Sequence, residues 1–205
     1  MSPRRRDAEG TAAARAGRRA ELLAKAAEVF ASQGYSATTV RKVADASGIL
    51  GGSLYYHFDS KESMADEILS TFLDDMWAAY DRVLAAGLDA RGTLEAVVVE
   101  SFRSIDKHRP AVVLYQNESK HLATSERFHY LLDSQRRFEE MWLSLLERGV
   151  REGAFRADLD RTLIYRFIRD TVWVAANWYQ HGGRLSADDI AQQYLAMVLE
   201  GIRAS

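Results

Sequence analysis

Five histidines and no cysteine bound the chemistry open to this chain of 205 residues. Without cysteine there is no disulfide, no thiol nucleophile and no thiolate ligand for zinc, which fits a reducing, cytoplasmic setting. His57, His108, His121, His129 and His181 are scattered, and none forms an HExxH pair. Glu118, His121, Glu126 and His129 are the one group of acids and imidazoles close enough to suggest a metal, and they support a remote alternative, a metal-dependent helical enzyme. Ordinary solvated side chains are the plainer reading of the same residues. No G-x-S-x-G, Walker loop or Rossmann glycine pattern occurs, so neither a metal nor any other cofactor is expected.

Two other groupings carry a clearer chemical meaning. The first is "GILGGSLYYHFDSKE" at 48–62, where Gly51 and Gly52 precede four rings, Tyr55, Tyr56, His57 and Phe58. Consecutive residues on a helix cannot share one buried face, so these rings are not all core. Ser53, Tyr55, Tyr56 and His57 offer hydroxyl, phenol and imidazole groups to phosphates and base edges. Gly51 and Gly52 would let a backbone approach DNA closely, at some loss of helix stability. Thr39, Lys42 and Lys61 flank the stretch and are placed to hold phosphates.

The second grouping is "LIYRFIRDTVWVAANWYQ", where Tyr165, Arg169, Trp173 and Asn177 recur every four residues. On a helix they line one face, with Leu163, Phe167, Ile168, Val172 and Val174 making most of the remaining surface apolar. An arginine one turn from a tryptophan suits a carboxylate or phosphate attached to an apolar body. A surface arginine paired with Asp170 is the competing reading.

The elements that must position these groups are helices. Proline occurs only at 3 and 110, and apolar residues recur at spacings of three and four. Residues 1–17 read as a mobile basic arm. A first helix runs from Arg18 to Gln33 and stops at Gly34. "ATTVRKVADASG" makes a short helix capped by Thr38 or Thr39 and ended by Gly48. Asp59 or Ser60 caps a long helix reaching about Ala86, with Asp59 and Glu62 at capping-box spacing. Further helices are expected over about 93–107, ending before Pro110, and over 110–118, 124–151 and 160–180. A last one opens at Ser186. Two short helices joined through Ser47 and Gly48 have the plan of a helix-turn-helix.

Charge follows the same division. Residues 1–62 carry ten Lys/Arg against seven acids, a net +3, while the formal total of −2 leaves −5 for residues 63–205. A basic end on an acidic remainder suits a polyanion partner. No apolar run approaches the ~20 residues that cross a bilayer, so no membrane partner is expected.

"TVRKVADASGILGGSLYYHFDSKESM" resembles the DNA-binding segment of the TetR family of bacterial transcriptional repressors, over roughly residues 18–65. Gly51 departs from the family, which often has a polar or basic residue there. The resemblance implies an all-α protein. Its N-terminal three-helix helix-turn-helix domain (18–62) is followed by a C-terminal helical ligand-binding and dimerisation domain (63–205). It implies a homodimer on a double-stranded DNA operator, released by a small molecule. The last helix offers Ile190, Tyr194, Val198 and Ile202 as the dimer stripe, flanked by Leu195 and Met197; intramolecular core is the competing reading, and some of the stripe must pack that way. The segments "LYQNE", "YRFIRDTVWVAANWY" and "QQYLAMVLEGI" resemble a branch of the family that governs steroid (cholesterol) ring degradation in actinobacteria. That likeness implies a coenzyme A thioester of a two-ring steroid remnant as inducer. Another acyl-CoA or apolar anion is the alternative.

Overall fold

In the computed structural model, the backbone of residues 3–202 and the side chains of residues 15–202 are described. Among the described residues there are eight α-helices and no strand. They are α1 (Pro3–Gln33), α2 (Val40–Ala46), α3 (Gly51–Leu54), α4 (Lys61–Ala85), α5 (Ala90–Leu122), α6 (Tyr130–Arg151), α7 (Arg161–Trp173) and α8 (Ala187–Ile202). Short 3-10 turns at Glu126–Phe128 and Val174–Asn177 lead into α6 and out of α7. Residues 3–17, expected as a mobile arm, continue α1 as helical backbone, while residues 1 and 2 lie outside the described residues. "TAAARAGRR" is rich in strong helix formers, with only Gly17 to weaken it.

Helix ends follow the local chemistry. Gly34 and Gly48 take positive φ (81° and 66°), the left-handed region that glycine enters without a Cβ clash, and end α1 and the turn after α2. Thr39 caps α2 by accepting from Lys42 N. α4 is capped by Ser60 paired with Ser63, each side chain bonding the other's backbone N–H at 3.1 and 3.2 Å. The expected partners Asp59 and Glu62 are not the box; Glu62 instead accepts from the Tyr35 hydroxyl at 3.2 Å. Such a cap contributes about 1 kcal/mol. It fixes where the long helix leaves the N-terminal head formed by α1–α3.

The helix expected to stop before Pro110 does not stop. α5 runs through it with a kink, and His108 is non-helical at φ −123°, ψ 25°. Pro110 has no N–H and its ring crowds the carbonyl of Asp106, so the ladder breaks there. Side chains hold the bend from both sides. His108 Nε2 lies 2.9 Å from Asp75 of α4, and Arg109 Nε donates to the Ala176 carbonyl at 2.8 Å.

α5 is the hub, packing on α1, α4, α6, α7 and α8. Leu22, Ala26 and Phe30 of α1, with Val43, Ala44, Leu54 and Phe58, join one core with Met64, Leu69, Phe72 and Met76 of α4. A close approach between α6 and the turn after it needs a glycine: a Cβ on Gly149 would lie 1.9 Å from Phe155 Cδ2. No described helix is long and apolar enough to cross a membrane.

Candidate functional site

The first candidate surface is the end of the head formed by α2 and α3, which pack on each other. Leu54 and Phe58 are buried and anchor it. Tyr56 stands 90% exposed and Tyr55 58%, while Gly52 and Ser53 are also exposed and His57 is half-buried. Neither Gly51 nor Gly52 is required by the fold. An added Cβ would meet nothing within 4 Å, and neither residue has a positive φ. Bare backbone facing open space beside two exposed rings is a surface built to be approached from outside.

The polar groups around it divide. Thr39 is exposed but its hydroxyl is engaged as the α2 cap. Lys42 is exposed; its ammonium donates to the Ala37 carbonyl at 2.8 Å and keeps two further donors. Lys61, expected on a phosphate, is turned inward. It donates to the Tyr35 carbonyl at 3.0 Å and lies 4.1 Å from the centre of the Tyr35 ring. Tyr35 is the reason, because it sits between the end of α1 and the start of α4 and is itself buried. Burial and the neighbouring Glu62 push its phenol pKa up, so it stays a neutral donor.

Tyr35 is also where the head meets the larger part of the molecule. Its backbone N–H donates to Glu118 Oε1 of α5 at 3.1 Å. Neighbours of Glu118 on the same helix, Tyr115, Gln116, Ser119 and Lys120, line a cavity of about 1100 Å³. Phe72, Leu73 and Met76 of α4 form another wall, Phe138 of α6 a third, and Tyr165, Arg169 and Trp173 of α7 a fourth.

Much of the cavity lining is aromatic. Trp173 packs edge-on to Phe72 at 6.1 Å and lies 6.1 Å from Phe138, while Tyr115 meets Phe72 at 5.9 Å. Charged groups also line it: Lys120, His129, Arg136 and Arg169, with Asp133, Glu139 and Asp170 among them. Arg169 Nε donates to Asp170 at 2.7 Å, the pairing weighed from the sequence, and this carboxylate raises the guanidinium's pKa. Both partners of the pair line the cavity. The ring beneath Arg169 is Tyr165, at 5.4 Å, and not Trp173. Burial pushes the Tyr115 phenol up to about 12 and raises that of Tyr165, so both present hydroxyl donors at neutral pH.

Asn177 does not join this group. α7 ends at Trp173 and tightens into a 3-10 turn, so the spacing of four no longer returns to the same face. Asn177 is exposed and lies outside the cavity lining. Glu118, His121, Glu126 and His129 are not brought together either: no group of three His, Asp or Glu among the described residues is placed to hold a metal.

Large apolar side chains are also exposed on and after the later helices. Leu163, Phe167, Val174 and Trp178 are between 45% and 58% exposed, and Met197 of α8 is 68% exposed. The stripe expected to face a partner behaves otherwise: Tyr194, Leu195 and Ile202 are buried, and Ile190 and Val198 are half-buried against the core. α8 uses them to pack on α5, and the Tyr194 ring sits 5.8 Å from Phe102.

Several of these residues were not singled out from the sequence. Phe72 and Met76 were visible as inner positions of α4, but nothing along the chain distinguishes a side chain facing a void from one facing a neighbour. Tyr115 and Glu118 lie in the "LYQNE" segment, whose residues point to different places. Lys120, Arg136 and Phe138 carried no signal, and His129 was noted only as a possible metal ligand.

Comparison with known proteins places this geometry. Residues 22–68 match the family described as bacterial regulatory proteins, tetR family. Residues 87–202 match the tetracyclin repressor-like C-terminal domain. The chain is 54% identical over 188 residues to the HTH-type transcriptional repressor KstR2 of Rhodococcus jostii, covering 92% of each. It is 49% identical over 185 residues to KstR2 of Mycobacterium tuberculosis, covering 90% of this chain and 92% of that one. A solved structure described as the ketosteroid transcriptional regulator KstR2 of Mycobacterium tuberculosis superposes with a TM-score of 0.88 at 48% identity, covering 92% of this chain and 96% of that one.

Proposed function

This chain belongs to the TetR family of bacterial regulatory proteins, a family of operator-binding dimers that respond to small molecules and not of enzymes, and we propose that it is a repressor of steroid-ring catabolism genes. In this reading it acts in the cytoplasm. Its inducer is a coenzyme A thioester of a two-ring steroid remnant. The similarity to repressors named KstR2 supports the steroid assignment. The observation that carries the ligand class is the placement of Arg169 and Trp173 in one cavity, with aromatic rings and three further basic side chains, Lys120, His129 and Arg136, in the same lining. Such a site suits an apolar body bearing an anionic group. A volume of about 1100 Å³ reaches the upper end of ordinary ligand pockets, which suits a bulky ligand.

Thr39, Lys42, Gly52, Ser53, Tyr55, Tyr56 and His57 form the DNA-reading surface in this proposal, with Lys61 supporting it from inside. Tyr165, Arg169 and Trp173 belong to the ligand site. Two elements link the sites. α4 begins at Ser60 under the head and lines the cavity with Phe72, Leu73 and Met76. α5 lines it with Tyr115 and Ser119 while Glu118 holds the Tyr35 N–H. Ligand that favours a different setting of these helices re-spaces the two heads, which then no longer match successive major grooves.

Operator binding measured by fluorescence anisotropy tests this, with steroid-derived and fatty acyl-CoA thioesters, free acids and free coenzyme A titrated in. Release by the steroid-ring thioester alone is expected. Release by a simple acyl-CoA, with the steroid thioester inert, would move the regulator to another pathway.

A further inference from the structure

The turn and helix that present the reading surface lack the usual tools for reading bases. Residues 48–58 contain no Arg, Lys, Asn, Gln, Asp or Glu. These are the side chains that make bidentate or charge-assisted contacts to guanine, adenine and cytosine edges. What remains is one serine hydroxyl, two phenols, an imidazole and apolar surface.

Most of the apolar surface there is used internally: Leu54 and Phe58 are buried and Ile49 is half-buried against the core. Leu50 is not. It is 82% exposed, whereas the next most exposed leucine among the described residues, Leu163, reaches 47%. Its position is held. The backbone is extended at φ −68°, ψ 142°, immediately before α3, and its carbonyl accepts from Ser53 N at 2.9 Å. Gly51 and Gly52 follow it, so no side chain on the next two residues shields it. Among the described residues of the head, 15–62, the exposed large apolar side chains are Leu50, Tyr55 and Tyr56.

The major groove has one apolar feature that distinguishes a base pair, the C5-methyl group of thymine. We propose that Leu50 packs on a thymine methyl in each half-site and is a specificity-determining residue of this regulator. The proposal rests on α3 being the element that enters the groove. It gives operator recognition that depends on a methyl group where bidentate and charged base-reading side chains are missing.

The test uses the full chain and a duplex selected by it from a randomised pool. Each thymine is replaced in turn by deoxyuridine, which removes the methyl and leaves the base pairing intact. One thymine per half-site should lose about fourfold in affinity on this change, the effect of one buried methyl. Replacing that T·A pair by C·G should weaken binding, and 5-methylcytosine at the same place should recover about the same factor. Leu50→Ala should bind the thymine and deoxyuridine duplexes alike. Its thermal unfolding should match wild type, since the side chain is exposed. The proposal is overturned if no deoxyuridine weakens wild-type binding, or if each weakens wild type and Leu50→Ala equally. The deoxyuridine series on the wild-type chain needs no variant. Failure of the wider reading surface would show separately, as undiminished operator binding by Tyr56→Ala.

Discussion

The same kinds of side chain are arranged in opposite ways at the two ends of this molecule. In the head, Tyr55 and Tyr56 project into solvent beside two glycines that the fold does not need. In the ligand region, Tyr115, Tyr165, Phe72, Phe138 and Trp173 close around a void. Rings cost free energy when left in water, so exposed rings on a small anchored element imply a partner that comes from outside. Rings around a cavity imply a partner that goes in. The apolar strip of Leu163 and Phe167 on α7, with exposed Trp178, belongs with the first kind, and we propose that its outside partner is a second copy, since regulators of this family dimerise.

Substitutions can break that comparison. Phe167→Arg should have the largest effect, because a charge in a self-complementary apolar face is placed twice. Sedimentation should show a monomer, and operator affinity should fall by at least about a thousandfold, since each half-site contributes separately. A dimer that persists would remove this strip from the interface. Tyr56→Ala comes next. Loss of an exposed contact in both heads should weaken operator binding on the order of a hundredfold. Its thermal midpoint and dimer should stay unchanged, because the ring touches nothing that holds the fold.

Smaller effects sharpen the contrast. Arg169→Ala should keep operator binding but need about tenfold more inducer for release, from the loss of a charge-assisted contact. Full inducibility would leave Arg169 as the partner of Asp170 and no more. Glu118→Ala unpairs the Tyr35 N–H and should uncouple the two regions. Ligand affinity, measured by calorimetry, should hold while the ligand's effect on operator affinity shrinks a few-fold. Equal shrinkage of both would place Glu118 in the pocket instead.

The smallest effect concerns the bend in α5. Burial holds the His108 imidazole below its ordinary range, with Lys107 adding to this and Asp75 opposing it. The unfolded chain therefore takes up that proton first. Stability from this group is present above about pH 6.5 and is lost as pH falls through that range. The thermal midpoint should decline between about pH 7.5 and 5.5, and His108→Gln should flatten the decline. An unchanged slope would assign it to other groups.

Legibility differs between the two regions for a physical reason. Helix-turn-helix recognition is local: a cap, a turn glycine, anchors and exposed groups all lie within about twenty residues, so their spacing reports their geometry. Thr39, Tyr56 and Gly52 could be placed that way. Lys61 could not, because its partner Tyr35 lies 26 residues away. The cavity draws its walls from α4, α5, α6 and α7, and each helix gives it only a turn or two. Period-four spacing found Tyr165, Arg169 and Trp173 but carried on to Asn177, past the point where the helix changes pitch. The α8 stripe was a real apolar stripe, but α5 covers it within the same chain.

From the order of residues alone came the helical class, the helix ends set by glycine and serine, the helix-turn-helix and its exposed rings. These follow from steric preference and hydrogen bonds between near neighbours, which need no knowledge of the rest of the chain. Tertiary structure decided which apolar faces meet each other and which are left open. It also decided where packing leaves a void, which carboxylate holds Tyr35, and that Pro110 bends α5 without ending it. Those outcomes depend on how whole helices cross, and that is a property of the assembled fold.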